Sequence, residues 1–274
     1  MANIVNHEDF TTKAYKFFCD EIKENPRFHR KQWEFFVISR EILKYFGTIE
    51  GKNGLGFAVG EEILLEYFVK KGAKITGTDL DINDANAGDW KNTNQHLSNF
   101  NLRGIVDKNI FDNSFTMDYV DMNYIPKKYL KSKFDFIWSS CALEHLGSIK
   151  NGLDFIKNSL GCLKSGGIAV HTTEYNLSSE IDHCDHKSSS IYSKNDILIL
   201  KNELELLGHK VLPINFNRKN NPINNYVDKP NYCNGKSVEL CEEIMKNPQN
   251  KCHINLLLHN KYISTSIYIV IIKN

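Results

Sequence analysis

From Leu55 to Ile75 the spacing of apolar residues changes character twice. Leu55, Phe57 and Val59 are interleaved with Gly54, Gly56 and Gly60, the pattern of a strand that runs into a glycine-rich turn. Ile63, Leu64, Tyr67 and Phe68 then recur at helical spacing, Gly72 closes the helix, and Ala73 and Ile75 open a second apolar run that ends on Asp79 and Asp81. Strand, glycine turn, helix and second parallel strand form the first half of a nucleotide-binding sheet. Glycine is needed where the backbone turns sharply and approaches a ligand, because no Cβ intrudes and positive φ costs little. An ordinary crossover, in which the glycines serve only close packing, has the same pattern.

Upstream, residues 8–46 read as helices. Tyr15, Phe18, Cys19 and Ile22 share one helical face, and Trp33, Phe36, Ile38, Ile42, Leu43 and Phe46 another, with Pro26 between them and Gly47 as a stop. The link RFHRKQWE carries Arg27, His29, Arg30, Lys31, Gln32 and Trp33. It either brings a cation and an aromatic ring to a ligand at the sheet edge, or packs Trp33 and leaves its charges solvated.

Downstream of Asp81 an Asn-rich stretch reads as a loop and an amphipathic helix. Phe115 to Pro126 is a third strand, which must leave the sheet at the proline. The continuous apolar run in Phe134 to Ser148 marks a strand covered on both faces, with Ser139, Ser140 and Cys141 at its exit and Glu144 and His145 at a helix start. A helix with Leu153, Ile156, Leu160 and Leu163 inward should stop at Gly166 and Gly167, before a fifth strand that holds His171 and Glu174. Residues 176–193 are polar and unpatterned, as in a lid. Asn195 to Leu207 is a helix, residues 209–216 a sixth strand, residues 217–263 an irregular insertion with a short helix at Val238 to Met245, and Ser264 to Asn274 a β-branched final strand.

The expectation is therefore an α/β fold with a doubly wound, mostly parallel, seven-stranded sheet in one domain. Residues 1–48 form a helical cover, 49–214 the cofactor-binding core, 215–263 an insertion and 264–274 the last strand. Composition adds exclusions. At 274 residues and 41% hydrophobic, the chain can bury one large core. Lys+Arg 34 against Asp+Glu 33 leaves a formal charge of +1, so no overall field recruits nucleic acid or a membrane surface. Seven cysteines, an odd number without a CxxC pair, point to free thiols in a reducing cytosol. The sequence shows neither a basic-then-apolar leader nor a run of eighteen apolar residues, hence an expectation of a cytoplasmic protein without membrane insertion.

The candidate chemistry gathers at strand ends. Asp79, nineteen residues beyond Gly60 and followed by Leu80, is placed to accept hydrogen bonds from both hydroxyls of a ribose. Asp121 and Met122, at the end of the third strand, suit the amino group and face of an adenine, although Asp121 as a turn cap explains the same residue. Four groups compete as a proton acceptor: His171, the preferred base, with Glu174 beside it, and His145 and Glu144. Three residues apart, His171 and Glu174 fall on opposite faces of an ideal strand, so only a bend after Thr173 unites them. Asp182, His183, Asp185 and His186 are suitable metal ligands, yet their spacing matches no zinc signature and a solvated lid is favoured.

The pattern as a whole, over residues 50–212 and 264–274, resembles class I S-adenosylmethionine-dependent methyltransferases. The family's first strand usually ends in an acid followed by GxGxG; here the positions hold Gly54, then Gly56, Ala58 and Gly60. VDMNYIP resembles the segment beside adenine, WSSCALEHLGS the segment after the fourth strand, and LKSGGIAVHTTE the family's glycine turn and fifth strand. The resemblance implies S-adenosyl-L-methionine as cofactor, held by Gly54, Gly56, Gly60, Asp79, Leu80, Asp121, Met122, Ser139 and Ser140. The whole pattern, including RKQWEF near the start, also looks like methyltransferases of bacterial surface-polysaccharide synthesis, which implies a small or sugar-linked acceptor methylated on oxygen. An NAD-dependent oxidoreductase shares the glycine turn and acid, and its Tyr-x-x-x-Lys spacing occurs at Tyr67 and Lys71. A non-catalytic cofactor-binding partner is the third reading.

Overall fold

The computed structural model describes residues 1–84, 96–97, 100–232 and 252–274. In chain order, β1 (Ala2–Asn3), α1 (His7–Phe10), α2 (Lys13–Glu21) and α3 (Arg30–Phe46) come first, then β2 (Asn53–Phe57), α4 (Leu64–Lys70) and β3 (Lys74–Asp79). α5 (Lys108–Ser114), β4 (Phe115–Tyr119), β5 (Phe134–Ser140), α6 (Ile149–Ser159), β6 (Leu163–Asn176) and α7 (Lys194–Leu206) follow. The chain closes with β7 (Lys210–Val211), β8 (Ile214–Asn215), α8 (Pro222–Asn225), β9 (Leu256–Leu258) and β10 (Tyr262–Ile272).

The main sheet has the order β4-β3-β2-β5-β6-β10-β7, with β9 added to β10. Pairs from β4 to β6 are parallel, while β10 runs against β6 from Ser264↔Asn176 to Ile272↔Ile168. Strand order reverses between β2 and β5, so the crevice outside their carboxyl ends is where such a sheet binds ligands. Each face is covered. Trp33 and Phe36 of α3 and Phe68 of α4 pack with Phe136, Trp138, Val170 and Tyr268 on one side. Phe155 and Ile156 of α6 and Leu200 of α7 pack with Phe57, Ile137, Ala169 and Ile269 on the other. Double coverage is why β5 reads as one apolar run. Gly152 on α6 leaves space for the Tyr192 hydroxyl, which donates to the Leu143 carbonyl at 3.1 Å; a Cβ there would sit 1.8 Å from that oxygen.

Several boundaries differ from the sequence expectation. The sixth strand is split: Leu212 N–H still bonds to the Val270 carbonyl, but Pro213 has no N–H to donate, and the chain leaves β10 to pair β8 with β1 instead. The helix before β6 ends at Ser159, not at the glycines. Gly166 (φ +73°) and Gly167 lie inside β6, at the shift in β5–β6 register, and bond to Lys273 beside the end of β10. The third strand stops at Tyr119, short of Asp121. The helix expected at 238–245 and most of the Asn-rich stretch after Asp81 lie outside the described residues. Among the described residues no helix is long and apolar enough to cross a membrane.

Candidate active site

The carboxyl ends of β5 and β6 meet the first turn of α3, and the junction is built from charge. Arg30 donates a hydrogen bond to one oxygen of the Glu174 carboxylate and forms an ion pair with the other, and Glu174 also accepts from Ser264 Oγ. Burial pulls Arg30 down, yet the charge of Glu174 leaves its guanidinium above the ordinary value. One turn along α3, fully buried Glu34 accepts from Ser140 Oγ at 3.1 Å, Cys141 Sγ at 2.9 Å and Ser266 Oγ. Lys31 Nζ lies 3.7 Å from Glu34 and donates to the Ser140 carbonyl at 2.8 Å. Glu144, 1% exposed, accepts from Thr173 Oγ1 at 2.9 Å, and burial followed by the charge of Glu174 raises its carboxyl. Burial also lifts the Cys141 thiol well above its usual value, so it stays protonated. Three carboxyl groups thus meet two cations, and burial biases one of the three, Glu144, towards its neutral form.

The backbone is strained at the same edge. Ala58 after β2 and Cys141 after β5 both adopt left-handed φ, +49° and +48°, without being glycine. Such conformations cost about 1 kcal/mol or more each and collect at functional sites. Cys141 is held there by its N–H, bonded to Thr172 at both the carbonyl (3.2 Å) and Oγ1 (3.0 Å).

Asp79 ends β3 at 2% exposure, its carboxylate accepting from the N–H of Leu80 at 2.9 Å and of Leu97 at 3.0 Å. Burial pushes its carboxyl up to about 6 against those N–H groups. Beside it, in the turn after Gly60 (φ +46°), Glu62 is 5% exposed. Glu62 Oε2 accepts the Trp138 indole N–H at 3.1 Å, while Oε1 is buried with no hydrogen-bond partner among the described residues. Burial raises this carboxyl to about 8, with Lys31 opposing and Glu34 and Asp79 reinforcing. A buried carboxyl oxygen without a partner is costly, and a cation brought to it removes that cost as the group ionises.

Other expected residues are placed differently. At Gly54 a Cβ would meet the Phe136 ring at 2.4 Å, and at Gly56 the Trp138 ring at 2.4 Å, so these glycines admit aromatic rings from β5. Val120 N–H bonds to the Asp79 carbonyl, which keeps Asp121 and Met122 next to Asp79; Asp121 Oδ1 accepts from Asn123 N–H at 2.8 Å, a turn cap, and Met122 is buried. Ser140 joins the charged cluster, whereas Ser139 Oγ lies 2.8 Å from His171 Nδ1 on the opposite face. His171 is fully buried there, edge-on to Phe155 of α6 with ring centres 5.7 Å apart, and burial lowers it to about 3. The structure therefore does not bring His171 and Glu174 together: β6 has no bend after Thr173, and the two side chains leave the strand on opposite faces. His145 is exposed and bonds to the Ser188 carbonyl.

In the segment read as a lid, Asp185 caps α6 through Ile149 N–H and His183 pairs with Asp196. Cys141, Glu144 and Glu174 offer ligand atoms within 4.8 Å of one another. Each is already engaged by a neighbour, so the group reads as a hydrogen-bonded cluster. Tyr67 is buried against Phe18, and Lys71 pairs with Glu21, remote from the strand ends. A separate cleft of about 450 Å³, lined by residues such as Asn3, Asp9, Asn215 and Arg218, lies beside the β1–β8 pair and contains none of the strand-end groups.

Four groups that sequence reasoning did not single out are central here: Glu34, Glu62, Asp228 and His253. Glu34 stands four residues after Arg30, one helical turn, and that spacing was a usable signal. Asp228 and His253 come from the irregular insertion, where no periodicity predicts their meeting. Backbone bonds pin residue 253 to the entry of α3, His253 N–H to Phe28 O at 2.8 Å and Arg30 N–H to His253 O at 2.9 Å. His253 Nδ1 then lies 2.7 Å from Asp228 Oδ2.

A parallel sheet closed by one reversed strand, with a strained crevice at its switch point, is the Rossmann-like architecture of class I methyltransferases. Residues 55–171 match the family described as a methyltransferase domain. Among solved structures, an S-adenosylmethionine-dependent methyltransferase from Mesorhizobium loti is similar at 13% identity and TM-score 0.50, over 85% of this chain and 96% of that one. A phosphoethanolamine N-methyltransferase of Haemonchus contortus is 14% identical at TM-score 0.49, over 98% of this chain and 61% of the other. No curated protein matches the sequence. Family match and fold together support a class I S-adenosylmethionine-dependent methyltransferase, and S-adenosyl-L-methionine is the cofactor of that class. The residues present fit it on one observation in particular, the buried Glu62 oxygen near Asp79 that has no partner among the described residues.

Proposed function

We propose that the protein transfers a methyl group from S-adenosyl-L-methionine to an oxygen of a sugar nucleotide or related glycan precursor in the cytoplasm. The observation that carries the reading is the buried cluster of acidic groups at the carboxyl ends of β2, β5 and β6, in which Glu62 Oε1 has no partner among the described residues. When bound, the cofactor supplies an electrophilic methyl on a positively charged sulfur. Asp79 would hold the ribose hydroxyls, Glu62 the positively charged methionine end, and Asp121 and Met122 the adenine. Glu34 and Glu174, fixed by serine hydroxyls and by Arg30, keep the crevice negative without moving. Fixed charge of this kind needs no reorganisation as the reaction proceeds, and positioning supplies much of the rate.

The sugar-linked acceptor rests on the resemblance of the whole pattern, which includes RKQWEF, whose Arg30, Lys31 and Glu34 meet the ends of β5 and β6. The oxidoreductase reading is not favoured, because Tyr67 and Lys71 lie away from the strand ends. Calorimetry with S-adenosylhomocysteine is the test: the wild type binds, and Asp79→Ala weakens binding by about tenfold or more through loss of charged hydrogen bonds. Absence of binding by the wild type sinks the proposal.

A further inference from the structure

Removing a proton from a hydroxyl near neutral pH calls for a base whose lone pair is free and whose other polar atoms are anchored. The groups around Arg30 fail on one count or the other. Glu174 is committed to Arg30 and Ser264, and Glu144 is buried under Thr173. His171 faces α6 on the opposite side of the sheet.

His253 meets both conditions. A carboxylate only accepts, so the 2.7 Å contact with Asp228 Oδ2 puts the proton on His253 Nδ1 and leaves the lone pair on Nε2. Among the described residues Nε2 takes no hydrogen bond, and the side chain keeps 13% of its surface exposed. The ring is clamped by stacking on His29 (centres 4.7 Å) and by the edge of Tyr232 (5.8 Å). His29 is itself fixed as the cap of α3, its Nδ1 accepting from Lys31 N–H at 3.1 Å. The backbone of residue 253 bonds to Arg30, and the charges of Arg30 and Glu174 both reach the ring.

From this arrangement we propose that His253, oriented by Asp228, is the base that takes the acceptor's proton. The proposal rests on the methyl-transfer reading above. His253 Nε2 receives the hydroxyl proton, the freed oxygen pair forms the bond to the methyl carbon, and the pair of the broken carbon–sulfur bond stays on sulfur. Among the described residues, the charged and titratable groups around the ring are His29, Arg30, Glu174, Asp228 and Tyr232. Burial lowers His253, with Asp228 opposing and Arg30 reinforcing, so the ring is neutral at pH 7 as a base must be.

The test has two arms on the full chain. Long-range ¹H–¹⁵N spectra of histidine-labelled protein, with the signal assigned through His253→Gln, should show a neutral Nδ1–H tautomer at pH 7. Turnover is read as label transfer from S-adenosylmethionine to a panel of nucleotide sugars. His253→Gln should lower kcat about 10²- to 10⁴-fold with S-adenosylhomocysteine affinity kept, and should abolish an acid limb lying below pH 6.5. Asp228→Asn should lower kcat less and weaken the tautomer preference. An Nε2–H tautomer in the wild type, or His253→Gln turnover within about threefold of wild type, overturns the assignment. If the wild type binds the cofactor yet methylates no nucleotide sugar, the acceptor class above fails; the tautomer then decides the dyad, Nδ1–H supporting it and Nε2–H overturning it.

Discussion

Glu62 makes a quantitative statement about cofactor binding. With its carboxyl at about 8, the group is about 90% neutral at pH 7 in the unliganded protein. Pairing Oε1 with a cation returns the carboxyl to its ordinary range, so binding should release about 0.9 proton per ligand at pH 7 and about 0.5 at pH 8 from this group. Asp79, at about 6, is already mostly ionised at pH 7 and adds only about 0.1. The affinity effect is smaller than the contact suggests. A charged hydrogen bond gains about 2 kcal/mol, but ionising Glu62 at pH 7 costs about 1 kcal/mol. The net is about 1 kcal/mol, or about fivefold in Kd for Glu62→Gln. The proton count is therefore the decisive observable. Calorimetric titration with S-adenosylhomocysteine in buffers of different ionisation enthalpy gives that count as a slope, and Glu62→Gln should flatten it. A wild-type slope near zero at pH 7, or an unchanged slope in Glu62→Gln, refutes the assignment of Glu62 to the cofactor.

Three further outcomes follow from packing and charge. His171 is held at about 3 by burial, below its usual 6.5, so its contribution to stability is present above pH 6.5 and is lost as pH falls towards 3. About 2 kcal/mol should go by pH 5, and chemical denaturation should show that slope reduced in His171→Gln. Arg30→Met leaves Glu174 buried without its counter-charge and should cost about 3 kcal/mol or more; thermal unfolding of Arg30→Met/Glu174→Met should recover much of this, and no recovery would count against the pair's role. Gly152→Ala drives a methyl into the Tyr192 hydroxyl and should cost about 1–2 kcal/mol despite better helix propensity, whereas adding Tyr192→Phe should restore most of the melting temperature.

What the sequence disclosed, and what it concealed, follows from the range of the interactions. β2, α4 and β3 were legible because turn, helix and acid lie within thirty residues and each has its own period. The single apolar run of β5 announced a doubly covered strand for the same reason. β7 was overextended because a proline inside an apolar run was not given its weight as a pairing breaker. Gly166 and Gly167 read locally as a helix stop, while their partner, Lys273, lies at the far end of the chain. The site followed the same division. Asp79 sits at a fixed distance from its turn, but the Asp228–His253 contact and the Glu34 bonds to Ser140 and Ser266 join distant segments, and no local spacing encodes them. Glu62 was visible as an acid just past the turn; only its unpartnered oxygen gives it a role.

The first turn of α3 has a bearing on how this scaffold can be altered. Glu34 ties the helix to β5 and β10 at once, so the leading helices form one side of the candidate site. Swapping them for those of a relative would import a foreign wall, with its own charges, against unchanged strand ends. Grafts intended to redirect acceptor choice should therefore carry Arg30, Lys31 and Glu34 together with their serine partners on β5 and β10, as one inheritable unit.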